Sequence, residues 1–165
     1  MIVSQLAIYP GSFDPITLGH LSVLARAAKV FDSVELLIVH NPSKKTLFSI
    51  AERVELANQS LAEIGAPTNI SVAKLDSGLL AEYAASRAAK AILKGFRTAS
   101  DVEYELPMAQ VNRDLSDVET VFLAAEAGFG FVSSSLVREV ASLGGDVSNY
   151  VSKCVASALQ EKVSK

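Results

Sequence analysis

The chain has 165 residues, half of them apolar, which is enough to bury the core of one ordinary domain. Its formal net charge of -3 and sequence pI near 5.4 provide no basic field for a phosphate backbone, which argues against nucleic acid as the main partner. Residues 1–5 lack a charged n-region and an apolar h-region, and no apolar run could cross a bilayer, so we expect a cytoplasmic protein without a membrane partner.

The chain contains one cysteine, Cys154, so neither an intramolecular disulfide nor a cysteine metal cluster is expected. Tyr150, Cys154 and Ala158 recur at four-residue spacing in a late helical segment. This spacing favours a packed structural thiol over a nucleophile, because free cysteines in proteins are commonly buried.

Short β-rich runs alternate with longer segments of helical period. Such alternation is typical of strands that pair in parallel through right-handed crossovers, with helices on both faces of the sheet. We therefore predict one domain over residues 1–165, an α/β fold with a doubly wound five-stranded parallel sheet and a C-terminal helix. In chain order the predicted elements are strand 6–9, helix 18–31, strand 34–39, helix 50–64, strand 70–73, helix 79–89, strand 91–93, helix 101–116, strand 121–124, helix 136–143 and helix 150–163.

Local signals agree with this reading at several helix ends. Ser49 and Glu52 have capping-box spacing before the second helix, and Ser100 and Glu103 repeat that spacing before the fourth. The pair at 144–145, Gly-Gly, predicts the end of the fifth helix. The predicted core stripe of the second helix consists of Ile50, Val54, Ala57, Leu61 and Ile64.

The loop after the first strand, residues 9–20, matches neither the dinucleotide fingerprint nor the Walker A loop. Gly11 and Gly19 would let backbone approach a ligand, and Thr17 or His20 would open a helix whose free amides favour anions. His20 can donate a hydrogen bond to phosphate and, if protonated, stabilise charge there. A helix-start turn with a packed histidine is the alternative interpretation.

Cationic side chains follow two further strands. Lys44 comes after the second strand, where a solvated basic turn is the alternative to a phosphate contact. Lys94 and Arg97 flank Gly95 after the fourth strand, an arrangement that suits a polyanionic substrate but also occurs in ordinary surface loops.

Three consecutive serines at 133–135 follow the fifth strand. One of them suffices as an N-cap, so the other hydroxyls and the first-turn amides are available for a triphosphate. A serine nucleophile is not expected, because His40, the only other histidine, closes a strand and forms no evident relay. Phe129 is a candidate to face a purine ring, with core packing as the alternative, and Glu105, Asn112 and Arg113 on the fourth helix are equally explained by an exposed polar face.

The loops after strands one, two, four and five lie at the same edge of a parallel sheet, where doubly wound folds bind ligands. Because all four loops bear cations or hydroxyls, we predict a site for phosphate-rich substrates at this edge.

These motifs, in this order, resemble the nucleotidylyltransferase superfamily with the TxGH signature and, within it, the bacterial phosphopantetheine adenylyltransferases. The resemblance covers nearly the whole chain and is most specific at 9–20, 41–45, 78–80, 94–97, 101–105, 112–113 and 132–139. The sequence departs from the family at Lys94, which is commonly Arg, at Ser12, which is often Thr, at Leu18, which is commonly polar, and at 124–128, which lack a frequent proline.

The resemblance implies a Rossmann-like nucleotidylyltransferase fold and the reversible transfer of the adenylyl group of ATP to 4'-phosphopantetheine, which gives dephospho-coenzyme A and pyrophosphate. The acceptor phosphate is already an anionic nucleophile, so positioning and charge stabilisation suffice without a general base. The implied catalytic residues are His20, Lys44 and Arg97. The implied ATP-binding residues are Ser12, Phe13, His20, Gly95, Arg97, Glu105, Val132, Ser133, Ser134 and Ser135. The implied substrate-binding residues are Ser12, Lys44, Leu79, Leu80 and Lys94.

The resemblance also implies a homohexamer, coenzyme A as a feedback ligand, and magnesium carried mainly by the ATP phosphates rather than by protein ligands. Two alternatives stay open within the superfamily, a nicotinamide mononucleotide adenylyltransferase and a glycerol phosphate cytidylyltransferase. A non-catalytic nucleotide-binding module is a third, although binding alone would not require both His20 and Lys44.

Overall fold

The computed structural model describes residues 5–163, so residues 1–4 and 164–165, including most of the N-terminal segment considered above, lie outside the description. Within this range one sheet of five parallel strands is formed, with the order β3-β2-β1-β4-β5. The predicted fold class is confirmed. The strands are β1 (Leu6–Gly11), β2 (Ser33–Val39), β3 (Ile70–Leu75), β4 (Ala91–Phe96) and β5 (Glu119–Ala124). The helices are α1 (Leu18–Ala27), α2 (Ile50–Glu63), α3 (Leu80–Ser86), α4 (Ala99–Ser116), α5 (Ser134–Ser142) and α6 (Lys153–Val163), with a 3-10 turn at Ala127–Phe129.

The strand order reverses between β1 and β4, and these two strands diverge. β1 pairs with β2 along its full length, from Leu6 to Gly11. It pairs with β4 only where Ala7 and Ile8 face Ala91 and Ile92, although both strands continue beyond those residues. The carboxyl ends of the central strands therefore part, which leaves a crevice at the position where open α/β sheets bind ligands.

The two faces of the sheet bury separate apolar layers, because side chains alternate along each strand. Tyr9, Leu36 and Leu93 belong to the larger layer, which α1, α2, α5 and α6 cover. Ile8 and Ile92 belong to the smaller layer, where they pack with residues from α3 and from the segment before β5. A sheet covered on both faces fixes the strands that carry the loops at the crevice.

The second helix buries a face rotated from the predicted stripe. Ile64 is 41% exposed, whereas Arg53 is buried and shares a face with the apolar core residues. The predicted stripe missed this because a hydrophobicity pattern does not anticipate a buried guanidinium. The buried residues of α2 are Arg53, Leu56, Ala57, Ser60 and Leu61.

The capping box predicted at Ser49 and Glu52 is confirmed, but the one predicted at Ser100 and Glu103 is wrong. The fourth helix instead begins after Thr98, whose side chain accepts from the Asp101 amide while the Asp101 carboxylate accepts from the Thr98 amide. Both pairs have the same three-residue spacing, so the spacing alone could not distinguish them.

Other element ends differ by a few residues. The first helix ends at Ala27 rather than residue 31, because the amides of Lys29 and Val30 turn back to the carbonyls of Arg26 and Ala27. The third helix stops at Ser86, and the sixth begins at Lys153, where the Glu63 carboxylate accepts from the first backbone amides. Gly144 ends the fifth helix region in the left-handed conformation, as predicted.

Cys154 lies half-buried at the start of α6, as its spacing predicts for a structural thiol. Its sulfur is 3.1 Å from the Ser152 hydroxyl and 3.5 Å from the Ser60 hydroxyl, which are themselves 2.7 Å apart. This cluster joins α6 to α2. Among residues 5–163, no helix combines the length and apolar character that crossing a membrane requires.

Candidate active site

Three neighbouring cavities occupy the carboxyl edge of the sheet, and His20 lines all three. The largest, of about 630 Å³, lies between β1, the loop after β2, α3 and α4, and is called the α3 cavity. The α5 cavity lies between α1, β4, α4 and the start of α5. The loop cavity lies between the β1–α1 loop, the loop after β2 and α5. The α3 and α5 cavities both include Tyr9 of β1 and Gly95 of β4, and so lie where these strands part.

His20 is held in one tautomer by the first turn of α1. Thr17 is the N-cap, and its backbone amide donates to His20 Nδ1 over 3.1 Å. Because an amide can only donate, Nδ1 is unprotonated and the ring hydrogen is on Nε2. Burial, together with the nearby positive charge of Arg97, lowers the pKa of the imidazole to about 4. His20 is therefore a neutral hydrogen-bond donor at neutral pH.

Arg97 lies at the carboxyl end of β4, where Asp101 holds it. Its backbone amide, Nε and Nη2 donate to the Asp101 carboxylate, and Nη1 donates to the Val132 carbonyl. Burial would raise the pKa of Asp101, but the hydrogen bonds from Arg97 and Thr98 outweigh it and keep that pKa below its ordinary value. The guanidinium is thus oriented before any ligand binds. Sequence reasoning gave Asp101 no role, although its i, i+4 spacing from Arg97 was a usable signal.

Lys94 and Glu105 form an ion pair of 2.9 Å whose side chains are only 20% and 28% exposed. The sequence analysis assigned them to different substrates, whereas the structure brings them together. Both line the α3 cavity, and Glu105 also lines the α5 cavity. A phosphate that binds Lys94 must therefore share or replace the Glu105 carboxylate as its partner.

Lys44 lies exposed in the loop after β2 and lines the α3 and loop cavities. No carboxylate among residues 5–163 forms an ion pair with it, so its charge is available to a ligand. Asn41 shapes this loop, since its side-chain oxygen accepts from the Ser43 amide over 3.0 Å. Leu80 lines the α3 cavity, whereas Leu79 is the N-cap of α3, 53% exposed and outside the lining.

In the serine turn, residues 133–135, two of the three side chains form hydrogen bonds within the protein. Ser133 caps α5, as its side chain accepts from the Leu136 amide, and Ser134 donates to the Pro15 carbonyl over 2.7 Å. Ser135 lines the loop cavity, and its hydroxyl has no hydrogen-bond partner within the described part of the chain. Val132 lines the α5 cavity beside Ser133 and Ser134. The turn thus supplies one uncommitted hydroxyl and the first-turn amides of a helix.

Gly11, at the end of β1, and Gly19, in the first turn of α1, are closely packed. A Cβ on Gly11 would lie 2.8 Å from the Phe13 ring, and one on Gly19 would lie 3.2 Å from Cβ of Phe129. Phe129 packs against the core and also lines the α5 cavity. Gly11 also lines the α3 cavity and Gly19 the α5 cavity, so both lie where the sequence predicts that backbone approaches a ligand.

Other sequence candidates divide clearly by position. Ser12 and Phe13 line the α3 and loop cavities, and Gly95 lines the α3 and α5 cavities. Asn112 is buried and Arg113 pairs with Glu119, and neither lines the three cavities. Nowhere in residues 5–163 do three or more His, Cys, Asp or Glu side chains cluster in a way that could hold a metal ion.

Comparison with known proteins shows the family to which the chain belongs. The cytidylyltransferase-like family model matches residues 8–140. The chain is 52% identical to the phosphopantetheine adenylyltransferase of Leifsonia xyli, over 94% of this chain and 97% of the relative. It is 47% identical to the phosphopantetheine adenylyltransferase of Caldanaerobacter subterraneus, over 98% of this chain and 99% of that one.

A solved structure supports the fold independently of close sequence similarity. The nicotinic acid mononucleotide adenylyltransferase of Plasmodium falciparum, in complex with NaAD, aligns with a TM-score of 0.72 at 15% identity and covers 96% of both chains. At that identity the likeness concerns the fold alone. On the full-length sequence relationships, the chain belongs to the phosphopantetheine adenylyltransferases, within the cytidylyltransferase-like family.

Proposed function

We propose that this chain transfers the adenylyl group of ATP reversibly to 4'-phosphopantetheine, which gives dephospho-coenzyme A and pyrophosphate in coenzyme A biosynthesis. The observation that carries the proposal is the convergence of Lys44, Lys94 and Arg97 on the neighbouring cavities around His20. Three cations around one neutral donor suit a reaction between two phosphate groups. Relatives near 50% identity are phosphopantetheine adenylyltransferases, which favours phosphopantetheine over nicotinamide mononucleotide or glycerol phosphate as the acceptor.

The three cavities suggest where each substrate binds. We place the ATP phosphates by the α5 and loop cavities, beside Arg97 and the serine turn, with Glu105 toward the ribose or adenine. We place the acceptor in the α3 cavity, with its phosphate near Lys44 and Lys94 and its pantetheine arm along Leu80. The proposed ATP contacts are Ser12, Phe13, His20, Gly95, Arg97, Glu105, Val132, Ser133, Ser134 and Ser135.

The proposed reaction is a direct displacement at the α-phosphorus of ATP. An oxygen of the acceptor phosphate attacks that phosphorus, the bond to the bridging oxygen of the β-phosphate breaks, and pyrophosphate leaves. The acceptor is already an anion, so no side chain has to remove a proton. His20 donates from Nε2 to the charge developing on the α-phosphate, Lys44 steers the attacking phosphate, and Arg97 restrains the ATP phosphates.

Magnesium is proposed to arrive as part of the MgATP substrate. The carboxylates nearest the nucleotide, Asp101 and Glu105, are paired with Arg97 and Lys94, so the lining residues do not form a cage for a hard cation. Magnesium retains several waters when it binds phosphates, which suits such a site.

Coenzyme A contains the same pantetheine and adenylate parts as dephospho-coenzyme A. We therefore propose that it competes for these cavities as a feedback ligand. A cytoplasmic location for this chain is likewise proposed from the kind of substrate it uses.

The homohexamer that the family resemblance implies is proposed to assemble through the exposed face of α4. Tyr104, Met108, Val111 and Leu115 recur at spacings of four, three and four residues, and each is between 48% and 83% exposed. Apolar side chains repeated in this way form a stripe suited to packing against another helix. Contiguous apolar surface of this kind is typical of protein interfaces, and a second copy of this chain is the proposed partner.

We predict that Leu115→Glu breaks this assembly, because it puts a charge into the apolar contact. Sedimentation velocity should show a species of about six copies for the unaltered protein and smaller species for the variant. Leu143→Glu is the matched control, since Leu143 is an 81% exposed leucine outside α4 and its replacement should leave the assembly intact. A monomer for the unaltered protein, or equal effects of both variants, would contradict the proposal.

The acceptor is tested by pyrophosphate release from MgATP. Purified protein is offered 4'-phosphopantetheine, nicotinamide mononucleotide or glycerol 3-phosphate in parallel, and release is expected with phosphopantetheine only. His20→Ala should abolish most turnover while the far-ultraviolet circular dichroism stays unchanged, because His20 is proposed to act on the reacting phosphate. Pyrophosphate release with another acceptor would show that phosphopantetheine is not the substrate. No release with any of the three acceptors would favour a non-catalytic nucleotide-binding module.

The neutral state of His20 predicts a specific titration. His20 and His40 are the only histidines, so a His40→Gln variant contains one imidazole for NMR. Its ring resonances should not shift between about pH 8 and pH 5, because burial and Arg97 lower the pKa to about 4. The unfolded chain takes up this proton near pH 6.5, so the free energy of unfolding should fall as the pH drops from about 6.5 to about 4. Titration near pH 6.5 in the folded protein would refute a neutral His20.

A further inference from the structure

We propose that Asp14 is a positioning residue that locks the Lys44 loop, residues 40–48, against both the β1–α1 loop and α5. The proposal rests on the proposed function, since it concerns how Lys44 and His20 are held relative to each other. Asp14 is not among the residues to which the sequence or the family resemblance gave a role.

The Asp14 carboxylate fastens the end of the Lys44 loop. Asp14 is 3% exposed, and its two oxygens accept from the backbone amides of Leu47 and Phe48 over 2.8 Å and 2.9 Å. Lys44 lies three residues before this attachment, and His20 lies six residues after Asp14. One side chain therefore connects the segments that carry the two proposed catalytic groups.

The same carboxylate also holds α5. Arg138 Nη1 donates to the backbone carbonyl of Asp14 and, over 3.1 Å, to Oδ2 of its side chain. A second hydrogen bond links α5 to this loop, because the Ser134 hydroxyl donates to the Pro15 carbonyl. The serine turn is thus attached to the β1–α1 loop at the residues on either side of the Asp14–Pro15 peptide.

A buried arginine completes the arrangement from α2. Arg53, 2% exposed, donates from Nη1 to the Ser12 carbonyl over 2.7 Å and from Nε to the Ser49 carbonyl over 3.4 Å. It lies near enough to Asp14 for their charges to interact. The β1–α1 loop is therefore held between two guanidinium groups, and the Asp14 carboxylate supplies the compensating negative charge.

The number of donors explains why a carboxylate is needed. Three N–H groups, from Leu47, Phe48 and Arg138, point at its two oxygens. An asparagine has nearly the same shape, but its amide nitrogen would replace one acceptor with a donor and face one of these N–H groups. Asp14→Asn therefore conserves volume while it breaks at least one attachment of the Lys44 loop or α5.

Loss of this attachment should affect catalysis through Lys44. A reaction without a general base depends on placement of the acceptor phosphate, and a displacement of about 1 Å can cost about a hundredfold in rate. For Asp14→Asn we expect a raised KM for phosphopantetheine and a kcat/KM reduced by about tenfold to a hundredfold. In a Lys44→Ala background the same substitution should cost less than about threefold, because the group it positions is already absent.

Glu35→Gln is the matched control. Glu35 is also 3% exposed and also pairs with an arginine, Arg87, at 2.9 Å, while accepting from the Tyr83 hydroxyl. It lies near the start of β2, away from the crevice. Glu35→Gln should lower the free energy of unfolding, as Asp14→Asn should, but leave kcat/KM unchanged.

A readout that needs no activity separates this proposal from the proposed function. Hydrogen exchange at the amides of Leu47 and Phe48 should be faster in Asp14→Asn than in the unaltered protein or in Glu35→Gln. Unchanged exchange there overturns the positioning role, whether or not the protein uses phosphopantetheine. The proposal would also be overturned if Asp14→Asn lowered kcat/KM by the same factor in the unaltered protein and in the Lys44→Ala variant.

Arg138→Lys keeps the test informative if Asp14→Asn does not fold. It retains the charge but loses part of the guanidinium geometry, so it should reduce kcat/KM in the same direction and by a smaller factor. That loss should also shrink in the Lys44→Ala background. A loss that is independent of Lys44 would overturn the coupling between Asp14 and the loop.

Discussion

The divergence of β1 and β4 is the constraint on which the site depends. These central strands share a ladder at only two residue pairs, and their carboxyl ends separate under a core that is packed on both faces. Every proposed phosphate contact reaches the cavities from a loop, a helix start or the carboxyl end of a strand around this opening. If β4 paired with β1 to its end, Gly95 and Arg97 would close against the β1–α1 loop, and the cavity shared by His20 and Lys94 would be lost.

Most of the cationic side chains that line the crevice form ion pairs with carboxylates of the protein. Arg97 is paired with Asp101, Lys94 with Glu105, and Arg138 with Asp14. Such pairs fix the direction of each charge and reduce the repulsion between neighbouring cations. Lys44 is left for the incoming anion, and His20 stays neutral because burial and the charge of Arg97 lower the pKa of its imidazole. The site thus binds phosphate through orientation as much as through net charge.

The sequence predicted the parallel α/β fold and the edge of the sheet that holds the site, because period and loop chemistry are local signals. It could not predict which cation pairs with which carboxylate, since Lys94 and Glu105 meet only through the packing of α4 on β4. It also assigned the capping box of the fourth helix to Ser100 rather than Thr98, because the two overlapping pairs have the same spacing. Asp14 was overlooked because its partners, Leu47, Phe48 and Arg138, are distant in the chain and two of them contribute only backbone amides.

The central claim is that the acceptor phosphate attacks ATP directly, without a covalent enzyme intermediate. Exchange of labelled pyrophosphate into ATP tests it most directly, with unlabelled MgATP and purified protein in the presence or absence of dephospho-coenzyme A. The structure predicts label in ATP only when dephospho-coenzyme A is present, because pyrophosphate then has an adenylyl donor to attack. Label in ATP without dephospho-coenzyme A would reveal an adenylylated side chain and contradict this account.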